Sequence, residues 1–169
     1  MKIVLSLLGV VVVLVISFLS IGLMTAKTYQ GQMTQTLPCS PQVLWKTLTD
    51  LKALPDRHRE IAKVEILGTN AQGLQKWKEY TDMGGSIVFE TIEEIPEKKW
   101  TIRMSESTFG MQGVWTYELA GDNTQTHLTI LEDSQIDKIA LRSLITLMGR
   151  NINIKREFKT LQKALAKQI

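Results

Sequence analysis

A single cysteine, Cys39, rules out an intrachain disulfide and leaves oxidising and reducing compartments equally open. Histidine is almost as scarce. His58 and His127 stand too far apart to form a cluster with metal-ligand spacing, so no metal or other cofactor is expected. The chain has no G-x-S-x-G elbow, no phosphate loop and no dinucleotide fingerprint, and Gly110-x-x-Gly113 is far too weak to count as one. Net charge is only +3, without the strongly basic, aromatic-interleaved character of a nucleic-acid binder, so nucleic acid is excluded as a partner. Charge is missing altogether from one stretch, residues 3–24.

Those 22 residues carry only Ser6, Ser17 and Ser20 as strongly polar members. A helix of that length spans about 33 Å at 1.5 Å per residue, enough for a hydrocarbon core of about 30 Å. A cleaved secretory signal would have an apolar region of about 7–15 residues. Here the run continues past Ser20-Ile21-Gly22 through Leu23 and Met24, which favours an uncleaved single-pass anchor over residues 1–27. Lys2 and the α-amine precede the segment, and Lys27 follows it. That small asymmetry favours a cytoplasmic N-terminus and an extracytoplasmic domain.

Beyond the anchor, 28–169 reads as one domain. Alternation over 28–37 predicts a strand, broken by Pro38-Cys39-Ser40-Pro41. Ser40 as N-cap and Pro41 at the first helical position predict a short helix over 41–50, with a second short helix before residue 56. Six further strands follow over 61–67, 74–81, 86–95, 100–105, 113–119 and 126–133, joined by short turns that make antiparallel neighbours. The periodicity over 137–167 predicts one long helix, with Leu141, Leu144, Ile145, Met148, Ile152, Leu161 and Leu165 along one side and Phe158 close by. This is an α+β arrangement, a seven-stranded antiparallel sheet curled around a C-terminal helix. Such a curl tends to leave a cavity between sheet and helix.

The order of elements and three local stretches resemble the START-like (SRPBCC, polyketide cyclase/dehydrase, birch-pollen-allergen-like) superfamily. The stretches are Leu37 to Trp45 followed by Asp50, Trp77-Lys78-Glu79, and Gly113 to Leu119 followed by Thr126 to Asp133. The last is similar to the "G-x-W-t-y-e-L … T-x-l-T-i-x-E-d" hairpin of bacterial members, with Ser134 where a Gly usually follows. The resemblance covers about residues 29–168 and implies a helix-grip fold. It also implies a hydrophobic small-molecule partner, a lipid, quinone or polyketide-like compound. The polar cavity residues of enzymatic members find no counterpart that can be aligned here.

Trp77, Phe89, Trp100, Trp115 and Tyr117 all lie on predicted strands, and Trp115, Tyr117 and Leu119 share one face by period two. Trp77, Phe89, Trp115, Tyr117 and Met148 are the candidate ligand-binding residues, with Tyr117 as a polar handle; the alternative is plain core filling. Gly149 beside Met148 is a place for the helix to bend or an entrance to widen. Glu79, Glu118, Glu132 and Asp133 are the carboxylates that could reach a cavity. No acid/base pair can be named among them, which favours binding over cyclase or dehydrase chemistry. Lys155, Lys159, Lys163 and Lys167 form a cationic ridge, either a solvated face or a surface for anionic membrane lipid. Glu157 is the lone acid between Lys138 and Lys167.

Overall fold

A computed structural model describes residues 2–167; Met1 with its α-amine, and residues 168–169, lie outside the described residues. Helix α1 (Lys2–Met24) leads through Thr25-Ala26-Lys27 into β1 (Thr28–Leu37). Then come α2 (Pro41–Thr49), a 3-10 turn (Leu51–Ala53) and α3 (Leu54–Arg57). Six strands follow: β2 (Ile61–Thr69), β3 (Gln75–Thr81), β4 (Gly85–Ile95), β5 (Lys99–Ser107), β6 (Met111–Gly121) and β7 (Thr126–Ile136). Helices α4 (Ile139–Met148) and α5 (Ile152–Ala166) end the described chain.

The local signals work as expected. Ser40 Oγ accepts from Val43 N at 3.4 Å to open α2, and Asp50 Oδ1 accepts from Ala53 N at 3.3 Å to cap the next turn. All seven strands are antiparallel in the order β1-β7-β6-β5-β4-β3-β2. Register shifts in the β2–β3 and β4–β5 pairs increase the twist and help the sheet curl. Alternation is clean on β7, where Leu128, Ile130 and Ile136 turn inward together with Glu132 and Ser134. The core joins that inner face to Leu44, Leu48 and Leu51 of the first helical turns and to Ile154, Phe158, Leu161 and Leu165 of α5.

The single long C-terminal helix is corrected to two. Gly149 adopts φ +93°, a conformation that L side chains rarely take, and ends α4; Ile152 N then bonds back to Gly149 O at 3.0 Å. Only α5 is gripped by the sheet. α4 swings away and packs against the end of α1, which leaves Leu144 and Met148 of the expected buried stripe exposed. Gly22 is the point of closest approach, since a Cβ there would lie 2.2 Å from Ile139 O. Arg142 is buried in the same joint, where Nε donates to Gly22 O at 2.9 Å and satisfies one of the carbonyls left open at the end of α1.

α5 starts beside Gly31 and passes Gln35, where Gln162 Nε2 bonds Gln35 Oε1 at 3.2 Å. It therefore climbs away from the end of the sheet where α1 emerges. Lys155, Lys159, Lys163 and Lys167 are all exposed along this climb, which covers about 22 Å at 1.5 Å per residue. Lys163 and Lys167 thus stand more than a Debye length, about 10 Å at 0.1 M salt, from the α1 end.

Candidate functional site

Strand register builds one wall of the site. Trp77 on β3 pairs with Phe89 on β4, and their rings stack at 5.5 Å. Trp77 also stacks on Trp100 at 5.9 Å, Trp100 meets Tyr117 at 5.4 Å, and Tyr117 meets Trp115 at 6.3 Å. These five rings form a continuous aromatic ladder on the inner face. Trp77, Phe89, Trp100 and Tyr117 are buried; Trp115, at the open end, is only half-buried.

The ladder borders a cavity of about 250 Å³ between sheet, α3 and α5. It is smaller than the range of about 300–1,000 Å³ for drug-sized ligands, because the rings fill much of the space that the curl encloses. Trp77, Phe89, Trp115 and Tyr117 line it as expected, and Trp100 joins them. Met148 does not reach it. Its helix ends at Gly149 and turns toward α1, so its side chain is exposed.

The other wall is polar, and of it only Glu79 and Glu132 were singled out in the sequence. Arg57, His58 and Glu60 come from the α3–β2 junction, Glu79 from β3, Glu132 from β7, and Asn153, Arg156 and Glu157 from α5. His58 Nε2 lies 3.3 Å from Glu157 Oε2, and Trp77 Nε1 donates to Glu79 Oε1 at 2.9 Å. Burial pushes both Glu79 and Glu157 up to about 7, against the lowering effect of Arg57 on each and of the Trp77 N–H on Glu79. Burial and the neighbouring Arg57 push His58 down to about 4, so its imidazole is neutral near neutral pH. The His58–Glu157 contact is then not an ion pair near neutral pH. Burial also holds the Tyr117 hydroxyl well above its ordinary range.

Two buried atoms of these side chains have no hydrogen-bond partner among the described residues. Glu132 Oε1 accepts from Tyr29 Oη at 2.5 Å and Ser134 Oγ at 3.0 Å, with Asn153 Nδ2 at 3.4 Å, whereas its Oε2 is buried without a partner. Arg57 donates through Nη1 to Thr47 O and through Nη2 to Asp50 O at 3.2 Å, whereas its Nε is buried without one. A buried polar group without a partner costs about 1–3 kcal/mol.

Of the four carboxylates considered from sequence, Glu79 and Glu132 reach the cavity, while Glu118 and Asp133 are exposed. His127 is exposed and bonds Thr36 through Nδ1 at 2.8 Å; Cys39 is half-buried outside the lining. Glu157 could have been found. It is the one acid of a basic helix, and it falls in line with Leu161 and Leu165 at spacings of four on the buried stripe. Arg57 and His58 carry no comparable signal, since they lie on a four-residue helix and the turn after it.

A family model described as "Polyketide cyclase / dehydrase and lipid transport" matches residues 30–165. Among solved structures, the Zhui aromatase/cyclase from Streptomyces sp. R1128 superposes with a TM-score of 0.71 at 14% identity, covering 83% of this chain and 95% of that one. A START superfamily protein from Mycobacterium smegmatis gives 0.67 at 12% identity, over 83% and 99%. Norcoclaurine synthase from Thalictrum flavum gives 0.62 at 13%, over 86% and 90%. At these identities the likeness to solved structures is one of fold. No curated protein matches the chain significantly.

Proposed function

Because the chain belongs to the polyketide cyclase/dehydrase and lipid transport family, we propose that it is a membrane-tethered binding protein for the ring-sized part of a hydrophobic small molecule. The observation that carries this reading is the two-sided cavity, with an aromatic ladder on one wall and the polar side chains of Arg57, His58, Glu79, Glu132 and Glu157 on the other. About 250 Å³ suits one or two fused rings bearing a hydroxyl or carbonyl, not a whole lipid. The tether in this reading is α1, the one helix among the described residues that is long and apolar enough to cross a membrane.

Native mass spectrometry of the detergent-extracted full-length chain should find a small molecule retained. After it is stripped, 1-naphthol should alter the tryptophan emission saturably. A bare polypeptide mass together with no response to 1-naphthol would remove the reading. The tether has its own check: the full-length chain should stay with the membrane through carbonate extraction, and recovery of a soluble form beginning near Leu23 would mark a cleaved signal instead.

A second reading, an acid–base enzyme of the cyclase or dehydrase type, is favoured by one observation. Glu79 and Glu157 both titrate near 7 around the same cavity, so near neutral pH one can hold a proton while the other accepts one. Turnover of a ketone substrate would then follow a bell-shaped pH profile centred near 7 and be lost in Glu157→Gln. A profile unchanged by Glu79→Gln and Glu157→Gln would remove this reading.

A further inference from the structure

We infer that the mouth of the cavity faces the bilayer crossed by α1, so that the ligand is a membrane-resident amphiphile whose ring enters the cavity while its chain stays in lipid. This rests on the binding reading above.

The depth of α4 follows from its partners on α1. Ser143 Oγ donates to Phe18 O at 2.6 Å, Arg142 Nε to Gly22 O, and Thr146 Oγ1 lies 3.1 Å from Thr25 Oγ1. At 1.5 Å per residue α1 is about 35 Å long, some 5 Å more than a hydrocarbon core, so Gly22 sits near the boundary and Phe18 about 6 Å inside it. α4 must therefore lie in the interface. Its composition agrees. The only polar side chains of α4 are Arg142, Ser143 and Thr146, and all three are turned toward α1. The outer face, Ala140, Leu144, Leu147 and Met148, repeats at spacings of four, seven and eight and is exposed, with Leu147 at 62%.

The sheet carries this plane to the cavity. Ile136 N bonds Lys27 O at 2.8 Å, Asp137 N bonds Gly110 O at 3.1 Å, and Thr108 N bonds Ser86 O at 3.1 Å. The turns over 82–84 and 108–110 and the β7–α4 junction thus share the end of the sheet where α1 emerges. Met83, at the tip of the first turn, is 81% exposed. Of the lining residues that are partly exposed, Glu60, Thr81, Ile87, Met111 and Asn153 are at this same end. Met111 also packs against the cluster that holds Ile145 of α4, so the mouth and the interfacial helix are one side chain apart. A cavity of about 250 Å³ that opens there has room for a ring and leaves a hydrocarbon chain outside, in lipid.

The test uses the full-length chain in phosphatidylcholine vesicles on a Cys39→Ser background, with bimane attached to Leu147→Cys, Met83→Cys or Asn123→Cys. Asn123 lies in the β6–β7 turn at the opposite end of the sheet. Acyl-chain bromine should quench the first two labels several-fold more than the third, and aqueous iodide should do the reverse. In the wild type, 4-nonylphenol carried in the vesicles should change the tryptophan emission. Labels at 147 and 83 as open to iodide as the one at 123 would overturn the inference, and a saturable response to 1-naphthol would then leave the binding reading standing. Disulfide-linked dimers through Leu147→Cys would also overturn it, because a second copy would cover the face. Lipid-quenched labels with no response to either phenol would remove the binding reading and this inference with it.

Discussion

Trp77→Ala should cost the fold about 3–5 kcal/mol, the usual loss for a large buried aromatic. Trp77 is 1% exposed and sits mid-ladder, stacked on Phe89 and Trp100. Its loss parts Phe89 from the other three rings and leaves a void in the buried core. It also removes the Nε1 donor from Glu79 Oε1, so a buried carboxyl loses its only hydrogen bond from a side chain. Domains of this size are stable by about 5–15 kcal/mol, so the variant should lose a large part of its margin. Trp115→Ala is the control, since Trp115 is half-buried at the open end of the same ladder and should cost clearly less. Urea unfolding followed by circular dichroism gives both numbers. A loss below about 1 kcal/mol for Trp77→Ala would mean that the ladder is not part of the cooperative core.

Much of this architecture was legible in the sequence because strands and caps are local. Alternation marked all seven strands: β1 matched, β3 was expected one residue early, and the other five were short at one or both ends by one to three residues. Ser40-Pro41 marked the start of α2. The parity of Trp115, Tyr117 and Leu119 was legible as well, with the last two buried. The C-terminal helix shows the limit. Apolar spacing continues through Gly149, and nothing in the periodicity distinguishes a stripe that faces a sheet from one that faces α1. Gly149 takes a positive φ and ends α4, which then packs on α1 where Gly22 meets Ile139. Glu79 and Glu132 were legible as candidates, but the polar wall as a whole was hidden for a related reason. Arg57, Glu79, Glu132 and Glu157 come from four elements spread over a hundred residues, and only the curl of the sheet brings them around one cavity.

That wall gives the second large effect, a pH dependence of stability set by Glu79 and Glu157. Both carboxyls titrate in the folded chain at about 7 instead of the ordinary 4.5. A raised carboxyl pKa means that the folded state holds a proton which the unfolded chain releases. Each group therefore destabilises the fold progressively as pH rises from 4.5 to 7, and fully above 7. At 1.36 kcal/mol per unit, each is worth about 3 kcal/mol at most, and less than twice that together because they interact. His58 acts in the opposite sense. Its folded pKa of about 4 lies below the ordinary 6.5, so it adds stability as pH rises through that window. Two carboxyls against one imidazole leave the wild type less stable at pH 8 than at pH 5, by about 2–3 kcal/mol. In the Glu79→Gln, Glu157→Gln double variant the raised carboxyl of Glu132 still opposes His58, so the loss of stability from pH 5 to pH 8 should shrink towards zero. Thermal melts of the full-length chain at the two pH values read this directly. A wild type that gains stability from pH 5 to pH 8 would show that the carboxyls are solvated and titrate normally. The functional consequence lies in the protonated half of the population: near pH 7 a neutral carboxyl facing the aromatic ladder can donate a hydrogen bond to a ligand carbonyl, which the ionised form cannot do.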